Sequence, residues 1–181
     1  GDVMEGMKSD AQVDALSGLL NRRGFEPRAR DALARQTINS PVAVILSDLD
    51  HFKSINDRFG HIGGDRIIQS FSEVLKKTAP RDAIITRLGG EEFAVVLPPG
   101  KATAAHLFAE EARKAFKEVA PSVVSGEAQP TASFGIAIAQ EGEGLEALMD
   151  RADRALYQAK ADGRDCVRPV GQNSRAGMAS S

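Results

Sequence analysis

The acids Asp48 and Asp50 follow the apolar run Val42-Ala43-Val44-Ile45-Leu46, and Glu91 and Glu92 follow the glycine pair Gly89-Gly90. If these two segments lie side by side in one sheet, Asp48 and Glu91 face each other across it. Two carboxylates held close repel unless a cation sits between them. Mg²⁺ is a hard ion that suits carboxylates, a backbone carbonyl and substrate phosphates. Taken one at a time, each acid reads more simply as a solvated turn residue. Groups suited to phosphate lie near in the sequence, however. Phe52 and Lys53 follow Asp50, where a turn would expose backbone N–H groups beside an ammonium and so make an anion site. Lys160 and Arg164 close the last helical stretch, where the helix dipole alone also favours cations. Asn56 and Asp65 carry the groups to read a base. A carboxylate accepts from two adjacent N–H donors, the pattern on the edge of guanine, and an amide offers both a donor and an acceptor. Asp65 is equally explained by its place in the first turn of a helix. No Gly-x-x-x-x-Gly-Lys-Ser/Thr loop occurs, which argues against a P-loop nucleotide site.

These residues need a frame to hold them. The run within 41–47 is short, unbroken and β-branched, and reads as a strand buried on both faces. Gly63-Gly64 leads into a helix with Ile67, Ile68, Phe71, Val74 and Leu75 on one face, stopped at Pro80. Residues 84–87 and 93–97 read as strands joined at Gly89-Gly90, a hairpin signal because glycine tolerates positive φ. Residues 102–119 read as a helix with Phe108, Ala112, Ala115, Phe116 and Val119 inward, and 131–139 as a strand. A stripe from Leu145 to Ala159 reads as a helix capped by Gly163, with Cys166 in a late strand. A tight hairpin excludes a purely parallel sheet. The expected fold class is therefore α+β, with a mainly antiparallel five-stranded sheet flanked by helices.

The chain has 181 residues, enough for one domain. We expect a linker or frayed helix end over residues 1–11, the folded domain over 12–170 and a disordered tail over 171–181. A hydrophobic fraction of 42% supports a buried core, and a net charge of −2 makes a nucleic-acid polymer a poor partner. The single cysteine, Cys166, excludes an internal disulfide and a cysteine-rich zinc site and fits a reducing compartment, so a cytoplasmic location is expected. No apolar run approaches the ~20 residues that cross a bilayer, so no membrane contact is expected of this segment, although it could belong to a longer, anchored protein.

At this point the residues match a known pattern. Leu88-Gly89-Gly90-Glu91-Glu92-Phe93 resembles the signature of GGDEF domains in its GGEEF form. Asp14-Ala15-Leu16-Ser17-Gly18-Leu19-Leu20-Asn21-Arg22-Arg23-Gly24-Phe25 resembles the opening D-x-L-T-G-L-x-N-R-R-x-F of the family. Asp48-Leu49-Asp50-His51-Phe52-Lys53-Ser54-Ile55-Asn56-Asp57 resembles D-x-D-x-F-K-x-x-N-D, and Gly60-His61-Ile62-Gly63-Gly64-Asp65 resembles G-H-x-x-G-D. Ser133-Phe134-Gly135 matches the late S-x-G strand, and the segment from Ala155 to Arg164 matches A-L-Y-x-A-K-x-x-G-R. The blocks keep the family's order and spacing from Asp14 to Arg164.

The resemblance implies a sheet related to nucleotidyl cyclases and polymerase palm domains, and a diguanylate cyclase that joins two GTP molecules into cyclic di-GMP. It implies Mg²⁺ or Mn²⁺ held by Asp48, Glu91 and the backbone carbonyl of Leu49, with Glu91 also the catalytic proton acceptor. Asn56 and Asp65 would recognise guanine and His61 would line the substrate site. Phe52, Lys53, Lys160 and Arg164 would hold the triphosphate, and Gly89 and Gly90 would let the backbone approach the nucleotide. A homodimer would bring two bound GTP molecules together, and an upstream sensory or regulatory domain would be expected in a longer protein. The alternative is a catalytically silent module that binds GTP or cyclic di-GMP and regulates a neighbour. One departure stands out. The Arg-x-x-Asp inhibitory site of many members is degenerate here, because Pro80 and Ala83 occupy its two positions and Arg81 and Asp82 are out of register.

Overall fold

The computed structural model describes residues 11–170. The linker expected over residues 1–11, apart from Ala11, and the tail expected over 171–181 lie outside the described residues. The central strand is β1 (Ala43–Leu49), and with β2 (Ile84–Gly89), β3 (Glu92–Leu97), β4 (Ala132–Ile138) and β5 (Val167–Pro169) it forms a five-stranded sheet of order β2-β3-β1-β4-β5. Strand β1 is antiparallel to both neighbours and β2 to β3, while β5 runs parallel to β4. The mainly antiparallel α+β sheet expected from the sequence is the one observed.

Helices cover both faces. Ile45, Phe93, Val95, Phe134 and Ile136 point into one core, under α2 (Phe52–Thr78) and α3 (Ala105–Val123). Phe71 is its centre, edge-on to Phe93 at 4.9 Å and to Phe116 at 5.0 Å. Val44, Leu46, Ala94, Val96 and Ala137 point the other way, against α1 (Arg22–Arg35) and α4 (Leu145–Ala161). This two-sided cover is why β1 reads as continuous apolar sequence although its neighbours are antiparallel.

Several boundaries differ from expectation. Strand β1 runs on to Leu49, so Asp48 lies inside the strand rather than after it, with ladder partners on both sides. Helix α2 starts at Phe52, well before Gly63, and is broken at Gly60, whose φ of 73° and ψ of 178° leave the helical region. Val119 is 42% exposed, and the inward position after Phe116 is Ala120, four residues on rather than three. The first residues of the expected helix at 102 form a short 3₁₀ turn. Cys166 stands just before β5, its thiol donating to the Ala159 carbonyl at 3.3 Å, and burial raises its pKa. Helix α1 has no counterpart in the sequence reading. Asn21 caps it by accepting from the Gly24 N–H, and Phe25, Ala29 and Ala32 are its buried stripe.

The segment ahead of α1 is tied down by Asp14. Its carboxylate accepts from the Ser17 N–H at 2.9 Å, the Ser17 hydroxyl at 2.6 Å and Arg87 Nη1 at 3.2 Å. Burial pushes this carboxyl up, but the bonds from Ser17 and then Arg87 outweigh it and hold the pKa below the ordinary range. Asp14→Ala is expected to cost about 2 kcal/mol, seen as a lower midpoint in chemical denaturation. Because the folded pKa is depressed, this contribution is complete above the ordinary Asp range. It fades as pH falls through the lowered value, so the two proteins converge in strong acid.

Candidate active site

The carboxylates meet at the end of β1. Asp48 is in register with Glu92 on β3 and with Ser133 on β4. The residue directly across from Asp48 is thus Glu92, not Glu91 as expected. Glu91 sits one position further out in the hairpin turn, where its carbonyl accepts the Leu49 N–H at 3.2 Å. The turn length fixes this offset, since Gly90 and Glu91 form the turn between β2 and β3.

Asp48 is only 7% exposed. Burial pushes its carboxyl above the ordinary range; the Lys160 ammonium pulls it down, and Glu91 and Glu92 push it further up. One oxygen, Oδ2, is paired with Lys160 Nζ. The other, Oδ1, is buried without a hydrogen-bond partner. Leaving such an oxygen unsatisfied is costly, and a cation would satisfy it. Among the described residues no group of three or more His, Cys, Asp or Glu could hold a metal by itself. Asp48, Glu91 and the Leu49 carbonyl are oxygen donors of the kind a hard divalent cation takes when water and phosphate complete its shell. Asp50 faces elsewhere: 5% exposed, it accepts from Ser133 and Thr131 and from the backbone of Asp165.

Of the base-reading candidates, Asn56 reaches across the break in α2 to the residue before Asp65. The Asn56 side chain lies over Gly64, so close that a Cβ there would stand 1.9 Å from Asn56 Oδ1 and 3.2 Å from the Phe52 ring. A Cβ on Gly63 would stand 2.4 Å from Phe59 Cβ. Two glycines thus let the halves of α2 close on each other, and Asp65 follows directly with its side chain exposed. His61 is exposed beside the break. Phe52 and Lys53 open a helix rather than a loop, but a first helical turn also presents free N–H groups.

Lys160 and Arg164 come from the end of α4. Gly135 lets this helix sit low on β4, since a Cβ there would meet the Leu156 nitrogen at 2.2 Å and the Ala152 carbonyl at 2.5 Å. That closeness lets Lys160 reach Asp48. Arg164 is exposed in the turn after the helix, with φ of 64°. Gly89 and Gly90 are exposed at the hairpin tip, with no atom within 4 Å of an added Cβ at either. Arg87 is a neighbour of the candidate site that sequence reasoning missed. It donates to the Gly90 carbonyl at 3.0 Å while pairing with Asp14, so it ties the signature hairpin to the opening segment. The only hint in the sequence is its place two residues before Gly89.

The family described as diguanylate cyclase, GGDEF domain, matches residues 11–166. The chain belongs to the GGDEF family. It is 38% identical over 167 residues to the diguanylate cyclase VdcA of Vibrio cholerae, covering 91% of this chain and 48% of VdcA. The chain thus spans about half the length of that relative. Its structure resembles the coiled coil and GGDEF domain of DgcB from Caulobacter crescentus in complex with c-di-GMP, with a TM-score of 0.83, 31% identity, and 93% and 91% of the two chains covered. It also resembles the diguanylate cyclase SiaD bound to its activator SiaC from Pseudomonas aeruginosa, with a TM-score of 0.82, 31% identity, and 93% and 65% covered.

In this GGDEF domain Arg81 and Asp82 lie ahead of β2. Arg81 and Asp82 are exposed, the Arg81 carbonyl accepts from Lys101 at 2.9 Å, and Asp82 has a φ of 68°. No helix among the described residues is long and apolar enough to cross a membrane.

Proposed function

We propose that this GGDEF domain condenses two GTP molecules into cyclic di-GMP, with release of two pyrophosphates. The observation that carries this reading is the orphaned Asp48 oxygen beside Lys160 and the Glu91 turn, at the foot of the helix that carries Asn56 and Asp65. Asn56 and Asp65 bind the guanine edge, and Asp65 selects guanine because its carboxylate would meet a lone pair at N1 of adenine. His61 lines the same site. Phe52 and Lys53, at the start of α2, and Lys160 with Arg164 hold the triphosphate, while Gly89 and Gly90 leave the hairpin open to the nucleotide.

Asp48, Glu91 and the Leu49 carbonyl would hold Mg²⁺, or Mn²⁺ in its place. When bound, the ion neutralises phosphate charge and lowers the cost of an alkoxide. Glu91 accepts the proton of the 3′-hydroxyl as that oxygen attacks the α-phosphate of the second GTP and pyrophosphate leaves. The remaining contribution is in-line placement by the lysines, Arg164 and the backbone donors of α2.

Each domain holds one GTP, so two copies meet face to face about a two-fold axis. Specific activity is therefore expected to fall on dilution and approach zero well below the dimerisation constant; activity strictly proportional to protein in that range would overturn the reading. A regulatory domain or partner sets the pairing, consistent with the greater length of VdcA and the activator seen with SiaD. The site works in the cytoplasm, where GTP is supplied. With Arg81 and Asp82 out of register, tight product inhibition through the Arg-x-x-Asp site is not expected; calorimetric titration of cyclic di-GMP onto the nucleotide-free domain checks it, and tight binding abolished by changing Arg81 would overturn it.

A further inference from the structure

Asp50 takes no part in the reaction described above, yet it is a nearly buried carboxylate two residues from Asp48. Its Oδ1 accepts from the Ser133 hydroxyl at 2.6 Å; its Oδ2 accepts from the Thr131 hydroxyl at 2.8 Å and from the Asp165 N–H at 3.0 Å. The last of these bonds reaches the turn that carries Arg164.

That turn is unusual. Gly163, Arg164 and Asp165 have φ of 113°, 64° and 48°, three left-handed residues in succession. Glycine adopts this region freely, but Arg and Asp do so at a cost and remain there only when the surroundings over-determine them. Here they do. The Asp165 N–H is shared by Asp50 and, at 3.2 Å, by Ser133 Oγ. The Asp165 carboxylate accepts from Arg113 at 2.9 Å and from Lys117 at 2.7 Å, both on α3. Arg113 is itself braced by Glu110 at 3.1 Å. The turn is gripped by the sheet on one side and by α3 on the other, and Arg164 is left as its exposed side chain.

We infer that Asp50 is a positioning residue for phosphate binding: through the Asp165 backbone it fixes the left-handed turn that presents Arg164, with Arg113 and Lys117 as the outer half of the same latch. Asp48 and Asp50 then divide one strand end between them, the first toward the metal and the second toward the arginine that meets the phosphates. The inference rests on Arg164 being a phosphate ligand.

The test uses the whole chain with Mg²⁺ and two probes, 3′-deoxy-GTP, which lacks the attacking hydroxyl, and 3′-deoxyguanosine, which lacks the phosphates. Asparagine at position 50 replaces the carboxylate with a neutral amide that has one acceptor oxygen in place of two, so Asp50→Asn removes the charge-assisted strength of the bond to the Asp165 N–H even where that bond is kept. Calorimetry is expected to show roughly tenfold weaker binding of 3′-deoxy-GTP, unchanged binding of 3′-deoxyguanosine, and little further loss when Asp50→Asn is added to Arg164→Ala. Equal loss for both probes, no loss, or a full second factor on top of Arg164→Ala would overturn the inference. Should Asp50→Asn fail to fold, the double variant Arg113→Gln/Lys117→Gln opens the latch from α3. The same selective loss supports the inference and its absence overturns it. If Arg164→Ala alone leaves 3′-deoxy-GTP binding unchanged, it is the phosphate role of Arg164 that fails, and the inference falls with it.

Discussion

Glu91→Gln is expected to lower the rate of cyclic di-GMP formation by roughly 10³-fold or more at saturating GTP, since on the proposed mechanism it takes away the proton acceptor and leaves a neutral, weaker donor where the metal would bind. The substitution keeps the side chain's size and the backbone carbonyl that accepts the Leu49 N–H, so the hairpin and the sheet are retained. Glu91 lies in the turn rather than in the ladder, and its side chain is only partly buried. The thermal midpoint should therefore stay within a few degrees of the native value. The measurement is pyrophosphate release together with chromatography of the nucleotide products. A variant that retains a tenth or more of native activity would remove Glu91 from the centre of the mechanism.

The second large effect is expected at a residue with no side chain. Alanine at Gly64 would put its Cβ 1.9 Å from Asn56 Oδ1. That atom is the end of a rotatable side chain rather than backbone, so the protein accommodates the methyl by swinging Asn56 aside. The cost falls on recognition rather than on folding. GTP affinity should fall roughly 100-fold, about 2.7 kcal/mol, with the preference for GTP over ATP reduced. Binding titrations with both nucleotides, set beside a denaturation curve, separate the two costs. Loss of stability with nucleotide preference intact would place Asn56 outside the base site. Gly135 offers no such escape, because the atoms an added Cβ would meet are α4 backbone.

Much of this frame was legible in the chain. Each of β1 to β4 contains a short stretch rich in apolar or β-branched residues, and the hairpin glycines exclude an all-parallel sheet. The end of β1 was not legible, because ladder pairing uses the backbone, and Asp48, held by Lys160 through only one of its oxygens, pairs its backbone as well as a valine does. Asp48 therefore continues the ladder although its side chain breaks the apolar run. The register followed from the turn: with Gly90 and Glu91 in it, Glu92 rather than Glu91 falls opposite Asp48. Helix α1 was hidden because Phe25, Ala29 and Ala32 make a narrow stripe among five arginines, with Gly24 and Pro27 inside it. The first half of α2 was hidden by the Gly60 break, although the break itself brings Asn56 over Gly64.

In the site, residue types and spacing pointed to the right neighbourhood but not to each side chain's task. Asp48 and Asp50 are two apart and of one type, yet one has an unpartnered oxygen and the other is fully engaged by hydroxyls and a backbone N–H. What distinguishes them is Thr131, Ser133 and Asp165, all more than eighty positions away. The pairing of Lys160 with Asp48 likewise spans 112 positions and depends on Gly135 seating α4 low on the sheet. Long-range packing of this kind leaves no local pattern in the sequence.

The most direct test of the proposed activity is incubation of the native chain with GTP and Mg²⁺, at a concentration high enough for two domains to meet, followed by separation of the products. The structure predicts cyclic di-GMP with two pyrophosphates released for each molecule formed, and none with ATP in place of GTP. GTP bound but unconverted at every protein concentration would contradict the assignment and make the domain a nucleotide-binding module.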